Sequence, residues 1–239
     1  MNTQQNTNSK LIGVLLMTGA IALFIPYTML INTFSYPDIL RQDTATVLTA
    51  FHQGGNELIW AWFAFALTGL PLLPAFILIG ENLKEKSSLA KVATTFGIIG
   101  LIVQMIGLLR WTFVVPVLAD TFVYATNEAT RAASIVAFKT IHQFAGVLVG
   151  EHIGQLFTIV WTVMISIALQ RLKAIPNWVS YFAYVASGIY ILGQAELFAT
   201  VMLSFPKWDA AGFLGSSLWL LWMIILGVYY LRSGKSASR

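Results

Sequence analysis

Six runs of this chain are apolar for longer than a bilayer is thick, and that restricts the fold more than any motif does. A helix needs about 20 mostly apolar residues to cross a hydrocarbon core of ~30 Å. Segments at roughly 11–33, 57–80, 90–118, 144–170, 178–203 and 211–231 all reach that length. Inside a bilayer every backbone N–H and C=O must be satisfied within the chain, so such runs become helices. Only 10% of the 239 residues are charged, against roughly 25% in soluble domains, so these are not core helices of a soluble protein. The reading is an all-α, six-helix transmembrane bundle, with residues 1–239 forming a single integral membrane domain. The first run is too long for a signal-peptide core and lacks a small-residue cleavage site, so it is expected to remain as the first span.

Two of the connections are more than loops. ENLKEKSS (81–88) and QRLKAIPN (170–177) are short and polar, whereas 35–55 and 120–143 carry apolar residues at helical spacing. Ile39, Leu40, Val47, Leu48 and Phe51 share much of one face over 38–52, as do Ala133, Val136, Ala137 and Ile141 over 128–142. Both are read as amphipathic connector helices on the outer side of the membrane. Each ends in a His-Gln pair, His52-Gln53 and His142-Gln143, which is either a weak internal repeat or coincidence. Basic residues give the orientation. Lys10, Lys84, Lys86, Lys91, Arg171, Lys173, Arg232, Lys235 and Arg239 fall on one side of six spans; Arg41, Arg131, Lys139 and Lys207 fall on the other. The positive-inside rule then makes both termini cytoplasmic. Trp60, Trp111 and Trp208 near one face and Trp178 near the other fit interfacial aromatic belts.

Three spans carry an ionisable residue at one counted depth. Lys91 to Arg110 is 19 residues, Arg171 back to Glu151 is 20, and Pro176 forward to Glu196 is 20. At 1.5 Å per residue each lies about 30 Å from the cytoplasmic edge. Apolar sequence continues outward beyond every one: WTFVVPVLA after Arg110, LFATVML after Glu196, FAGVLVG before Glu151. A charge capped in this way is costly unless paired, so Arg110 is expected to face Glu151 and Glu196 inside the bundle. One arginine does not balance two acids, and the surplus suits a proton, a bound cation or a cationic substrate. His152, His142 and Gln155 lie close by in sequence and complete the candidate ligand-binding set. Buried ionisable residues among membrane helices are functional by default. The competing reading is a purely structural ion-pair cluster that locks three helices together.

Other chemistry is excluded or weak. With no cysteine there are no disulfides, thiolate metal sites or covalently attached haem. Three histidines fall short of the four axial ligands of a two-haem cytochrome, and no cofactor is expected. His52 with His142 and a glutamate is a conceivable metal set, set against interfacial histidines that merely end amphipathic helices. No phosphate loop, nucleophile elbow or HExxH motif occurs, and no basic run suits nucleic acid. Glycines 146, 150 and 154 form a GxxxGxxxG ladder, which lets helices approach closely within the bundle or between copies.

The stretches LLRWTFVVPVLADTF and VGEHIGQLFTIVW resemble a bacterial family of multi-pass membrane proteins known as domain of unknown function 4386. The resemblance covers most of the chain and is strongest from Arg110 to Gln170. It implies a helical integral membrane protein of bacteria and supplies no activity or catalytic residue; the expected location is the bacterial inner membrane. The functional expectation is a buried polar site near the outer leaflet that binds a small molecule, lipid headgroup or cation. Acid/base chemistry would use a glutamate as general acid and Arg110 as an anion clamp. A non-catalytic accessory or assembly subunit, in contact with other membrane subunits, is the alternative. A transporter is disfavoured because no span carries a charge at its midplane.

Overall fold

The computed structural model describes the backbone from Asn2 to Ser236 and the side chains of residues 8–232. It is helical, with no strand among the described residues. In order come α1 (Asn2–Ala22), α2 (Phe24–Phe34), a 3-10 turn (Asp38–Arg41), α3 (Thr44–Leu67), α4 (Leu72–Leu83) and α5 (Ser88–Phe113). Then follow α6 (Val115–Val123), α7 (Glu128–Ile141), a π-helical segment (His142–Ile153), α8 (Gly154–Arg171), α9 (Asn177–Ala199) and α10 (Ala211–Ser236). Among the described residues they make six helical stretches long and apolar enough to cross a membrane: Asn8–Phe34, Thr44–Leu83, Ser88–Val123, Glu128–Arg171, Asn177–Ala199 and Ala211–Arg232.

Prolines divide three of these stretches. A proline inside a helix loses its bond to the carbonyl four residues back and clashes with it. Pro26 thus ends α1 at Ala22, Pro71 ends α3 at Leu67, and Pro116 ends α5 one residue past Thr112. Helix resumes at Phe24 and Val115 directly, and at Leu72 after a turn over 68–71, because a proline at or near a helix start sacrifices no bond.

Two compact units emerge: Met1–Ile21, Gly69–Ile102 and His152–Arg239 form unit 1, and Ala22–Thr68 and Val103–Glu151 form unit 2. In unit 1, Phe76 stacks on Trp161 with ring centroids 3.5 Å apart, and Trp161 meets Trp222 edge-on at 5.8 Å. Polar links tie its helices: Trp219 Nε1 donates to Thr162 Oγ1 at 2.8 Å, and Ser180 Oγ to the Ser166 carbonyl at 3.3 Å. Such bonds and small residues replace the hydrophobic effect as helix glue in lipid.

Unit 2 is an aromatic core. Trp62 and Trp111 stack at 4.7 Å with planes 11° apart, Phe51 stacks on Trp111 at 5.7 Å, and Phe34 and Phe138 meet Trp111 edge-on. The first connector is built differently from the helix expected over 38–52. Only a 3-10 turn covers 38–41, and the helix begins at Thr44, where the Asp43 carboxylate accepts from Thr46 N at 3.0 Å and Thr46 Oγ1 at 2.6 Å. It then continues past His52 to Leu67 without a loop, bent at Gly55, whose φ of 54° and ψ of −149° only glycine readily adopts. Its apolar face does turn inward, with Ile39, Val47, Leu48 and Phe51 all buried.

The second connector is α7, capped by Asn127 Oδ1 on Thr130 N at 2.8 Å. Within the chain Ser134 and Phe138 are the residues it buries, while Ala133, Val136 and Ala137 lie on the exposed side. The inward face is chosen by Phe138, which packs on Trp111, and the small apolar residues suit lipid equally well. Trp111 is likewise core rather than belt at 1% exposure, whereas Trp60, Trp178 and Trp208 are exposed.

Candidate functional site

Arg110 lies in the last turn of α5 and is only 5% exposed. Its Nη1 donates to the Gly107 carbonyl one turn back, and its Nη2 lies 3.4 Å from His142 Nδ1. The guanidinium carbon sits 5.2 Å from the centroid of the Trp111 ring, within cation–π range. Its Nε is buried with no hydrogen-bond partner. The space it occupies is made by Gly146, where a Cβ would stand 2.5 Å from Nη2. Gly107 and Gly150 bring α5 and the π segment into backbone contact, since a Cβ on Gly107 would lie 2.6 Å from the Gly150 Cα. The glycine ladder therefore serves packing within the chain at this point.

His142 stacks on Phe138 at 5.3 Å and meets Trp111 edge-on at 5.9 Å. Because its Nδ1 faces an arginine, which has only donors, that nitrogen accepts. The ring is then neutral, with its proton on Nε2. Glu151 completes the group electrostatically, its carboxylate acting on both Arg110 and Tyr36. Tyr36 packs edge-on against Trp62 at 5.2 Å. Burial pushes its phenol above the ordinary tyrosine range, Glu151 and Tyr27 add to the shift, and Arg110 opposes it. Tyr36 is thus held as a proton-bearing donor.

The π-helix explains how His142 and Glu151 come to serve one arginine. They are nine residues apart. On an α-helix of 3.6 residues per turn, nine residues make two and a half turns and the side chains point oppositely. A π-helix bonds i to i+5, so its turns hold more residues and nine of them complete about two turns. The change of winding over His142–Ile153 therefore turns His142 and Glu151 to the same side.

The other candidate residues belong to unit 1. His152 Nδ1 lies 2.9 Å from Gln194 Oε1, and Gln194 Nε2 donates to Gln155 Oε1 at 2.7 Å. His152 also meets the Phe198 ring edge-on at 5.4 Å. Glu196 is two residues beyond Gln194 on α9 and is partly buried. Of the residues singled out in the sequence, Arg110, Glu151 and His142 are brought together in unit 2. His152 and Gln155 are joined in unit 1 through Gln194. His52 and His142 take different partners: His52 Nδ1 pairs with Asp120 Oδ1 at 2.8 Å and its ring meets Tyr124 at 5.1 Å. Among the described residues, no group of three or more histidine, cysteine, aspartate or glutamate side chains is placed to hold a metal ion.

The family model of the domain of unknown function DUF4386 matches residues 11–227. The chain belongs to that family. Neither the curated proteins nor the solved structures provide a match. Membership brings no activity with it, so function in this DUF4386 protein is argued from its own side chains. Sequence reasoning overlooked Tyr36, Trp62 and the inward role of Trp111. The available signal was the density of aromatics around SYPD, WAWF and RWTF, which exceeds what two interfacial belts need.

Proposed function

We propose that this integral membrane protein binds a small polar molecule in unit 2, at a site formed by Arg110, Glu151, His142 and Tyr36. The observation that carries this reading is the buried, unpartnered Nε of Arg110, in a guanidinium that π-winding supplies with a histidine and an acid at once. A purely architectural ion pair needs neither the π-helix nor a spare donor. In this reading the chain is one domain of the bacterial inner membrane, with cytoplasmic termini and the site toward the outer leaflet. Its support is the asymmetry of basic residues and the counted depth of Arg110. The test is native mass spectrometry of protein extracted in mild detergent. Wild type is expected to carry a co-purifying small molecule, and the folded double variant Arg110→Met, Glu151→Gln to lack it. If both proteins are bare, or carry the same mass, the architectural reading stands instead.

A further inference from the structure

Two buried N–H groups in unit 2 have no acceptor: Arg110 Nε and Trp62 Nε1. Such orphans are rare in native proteins, and each asks for a partner from outside the chain. Both belong to groups packed on one ring, since Trp62 stacks on Trp111 at 4.7 Å and the Arg110 guanidinium carbon lies 5.2 Å from it. Two further donor-bearing rings pack on the same aromatic cluster, Tyr36 edge-on to Trp62 at 5.2 Å and His142 edge-on to Trp111 at 5.9 Å. Tyr36 keeps its phenolic proton, and neutral His142 carries its proton on Nε2, its Nδ1 being turned to Arg110.

The charge balance narrows the ligand. Arg110 and Glu151 oppose one another, and His142 is neutral, so these groups sum to zero. An anion would be placed beside Glu151 with no net positive charge to hold it. A cation would face four donors and the repulsion of Arg110. Either would also lose its hydration among buried aromatics. A neutral molecule with an exposed oxygen acceptor has neither difficulty, and a carbonyl oxygen offers two lone pairs to N–H donors.

We infer that the ligand of this site is a neutral molecule held through a carbonyl oxygen by the side-chain N–H groups of Arg110 and Trp62; this rests on the reading that the site binds a ligand. The carbonyl belongs either to a lipid ester or to a free compound of the quinone type, and separate probes distinguish them. Thermal unfolding of the detergent-purified protein is measured with dioctanoylglycerol, duroquinone, acetate or inorganic phosphate. One or both carbonyl probes are expected to raise the midpoint by several degrees near saturation, and the two anions to leave it unchanged. Trp62→Phe keeps the stack and removes one donor. Compared with its own ligand-free baseline, it is expected to bind the active probe about tenfold more weakly, the worth of one hydrogen bond. Stabilisation by acetate or phosphate alone overturns the ligand class and leaves the site. No shift with any of the four, as when water alone fills the donors, overturns both. So does a shift that persists undiminished in Arg110→Met, Glu151→Gln.

Discussion

Arg110 is the side chain on which unit 2 most depends, because its charge is buried and is acted on electrostatically by the half-buried Glu151. Removing one partner of a buried pair leaves the other uncompensated, typically at a cost of about 3–5 kcal/mol, whereas removing both can be close to neutral. We therefore predict that Arg110→Met alone destabilises strongly. Adding Glu151→Gln should restore much of the loss, as read from thermal or denaturant unfolding in detergent. Equal losses in the single and double variants would mean that the two groups do not sense each other. At the other extreme of exposure stands Asp43. Its hydrogen bonds from Thr46 hold the carboxyl below the ordinary aspartate range. The cap therefore contributes fully above the unfolded value of about 3.9 and loses its contribution as pH falls through the lower folded value. Asp43→Asn keeps an acceptor without the titration. Its unfolding midpoint should fall less than that of wild type between pH 4 and about pH 2.5.

At the scale of elements, three glycines should answer the same substitution in three ways. Gly188 lies within α9 with nothing near the position of an added Cβ, so Gly188→Ala should stabilise by about 0.5–1 kcal/mol through helix propensity. Gly55 also has open space, yet its φ is 54°, so Gly55→Ala should cost roughly 1–3 kcal/mol from the backbone alone. Gly107→Ala would drive a methyl into the Gly150 backbone and should cost about as much or more by separating α5 from the π segment. Unfolding midpoints of the three variants check the order, and an unaffected Gly107→Ala would remove the close contact that seats Arg110. The ladder that includes Gly150 was legible in the sequence as packing, but its partner was not. Nor was the π-winding, for a physical reason. A helix with apolar residues on its lipid face and its buried face has little periodicity to measure, so nothing in GVLVGEHIG distinguishes one pitch from another. Small residues such as Ala133 and Ala137 commit α7 to neither side, which hid its inward face, and Trp111, judged by depth alone, passed for a belt residue. The six long runs were legible because their length does not depend on which way any side chain points.

For the whole molecule, the basic residues predict an orientation. Lys84, Lys86 and Lys91 flank one short connection, and Arg171 and Lys173 lie in another. The connections around 35–43 and 200–210 hold only Arg41 and Lys207. Short loops rich in lysine and arginine stay in the cytoplasm, because carrying them across the membrane is opposed during insertion. Alternating through six crossings, the Lys86 loop must then lie inside and the turn at 124–127 outside, with both termini inside. We predict that alkaline phosphatase fused after Thr130 is active and that the same reporter after Lys86 is silent, with a green fluorescent protein fusion giving the opposite pattern. Neutralising Lys84, Lys86, Arg171 and Lys173 together should weaken or mix this pattern, because it removes four of the nine charges that impose it. A cytoplasmic signal after Thr130 in the wild-type chain would invert the protein. Arg110, about 30 Å along α5 from Lys91 by the α-helical rise, would then sit toward the inner leaflet. Any ligand for its site would have to arrive from the cytoplasmic side.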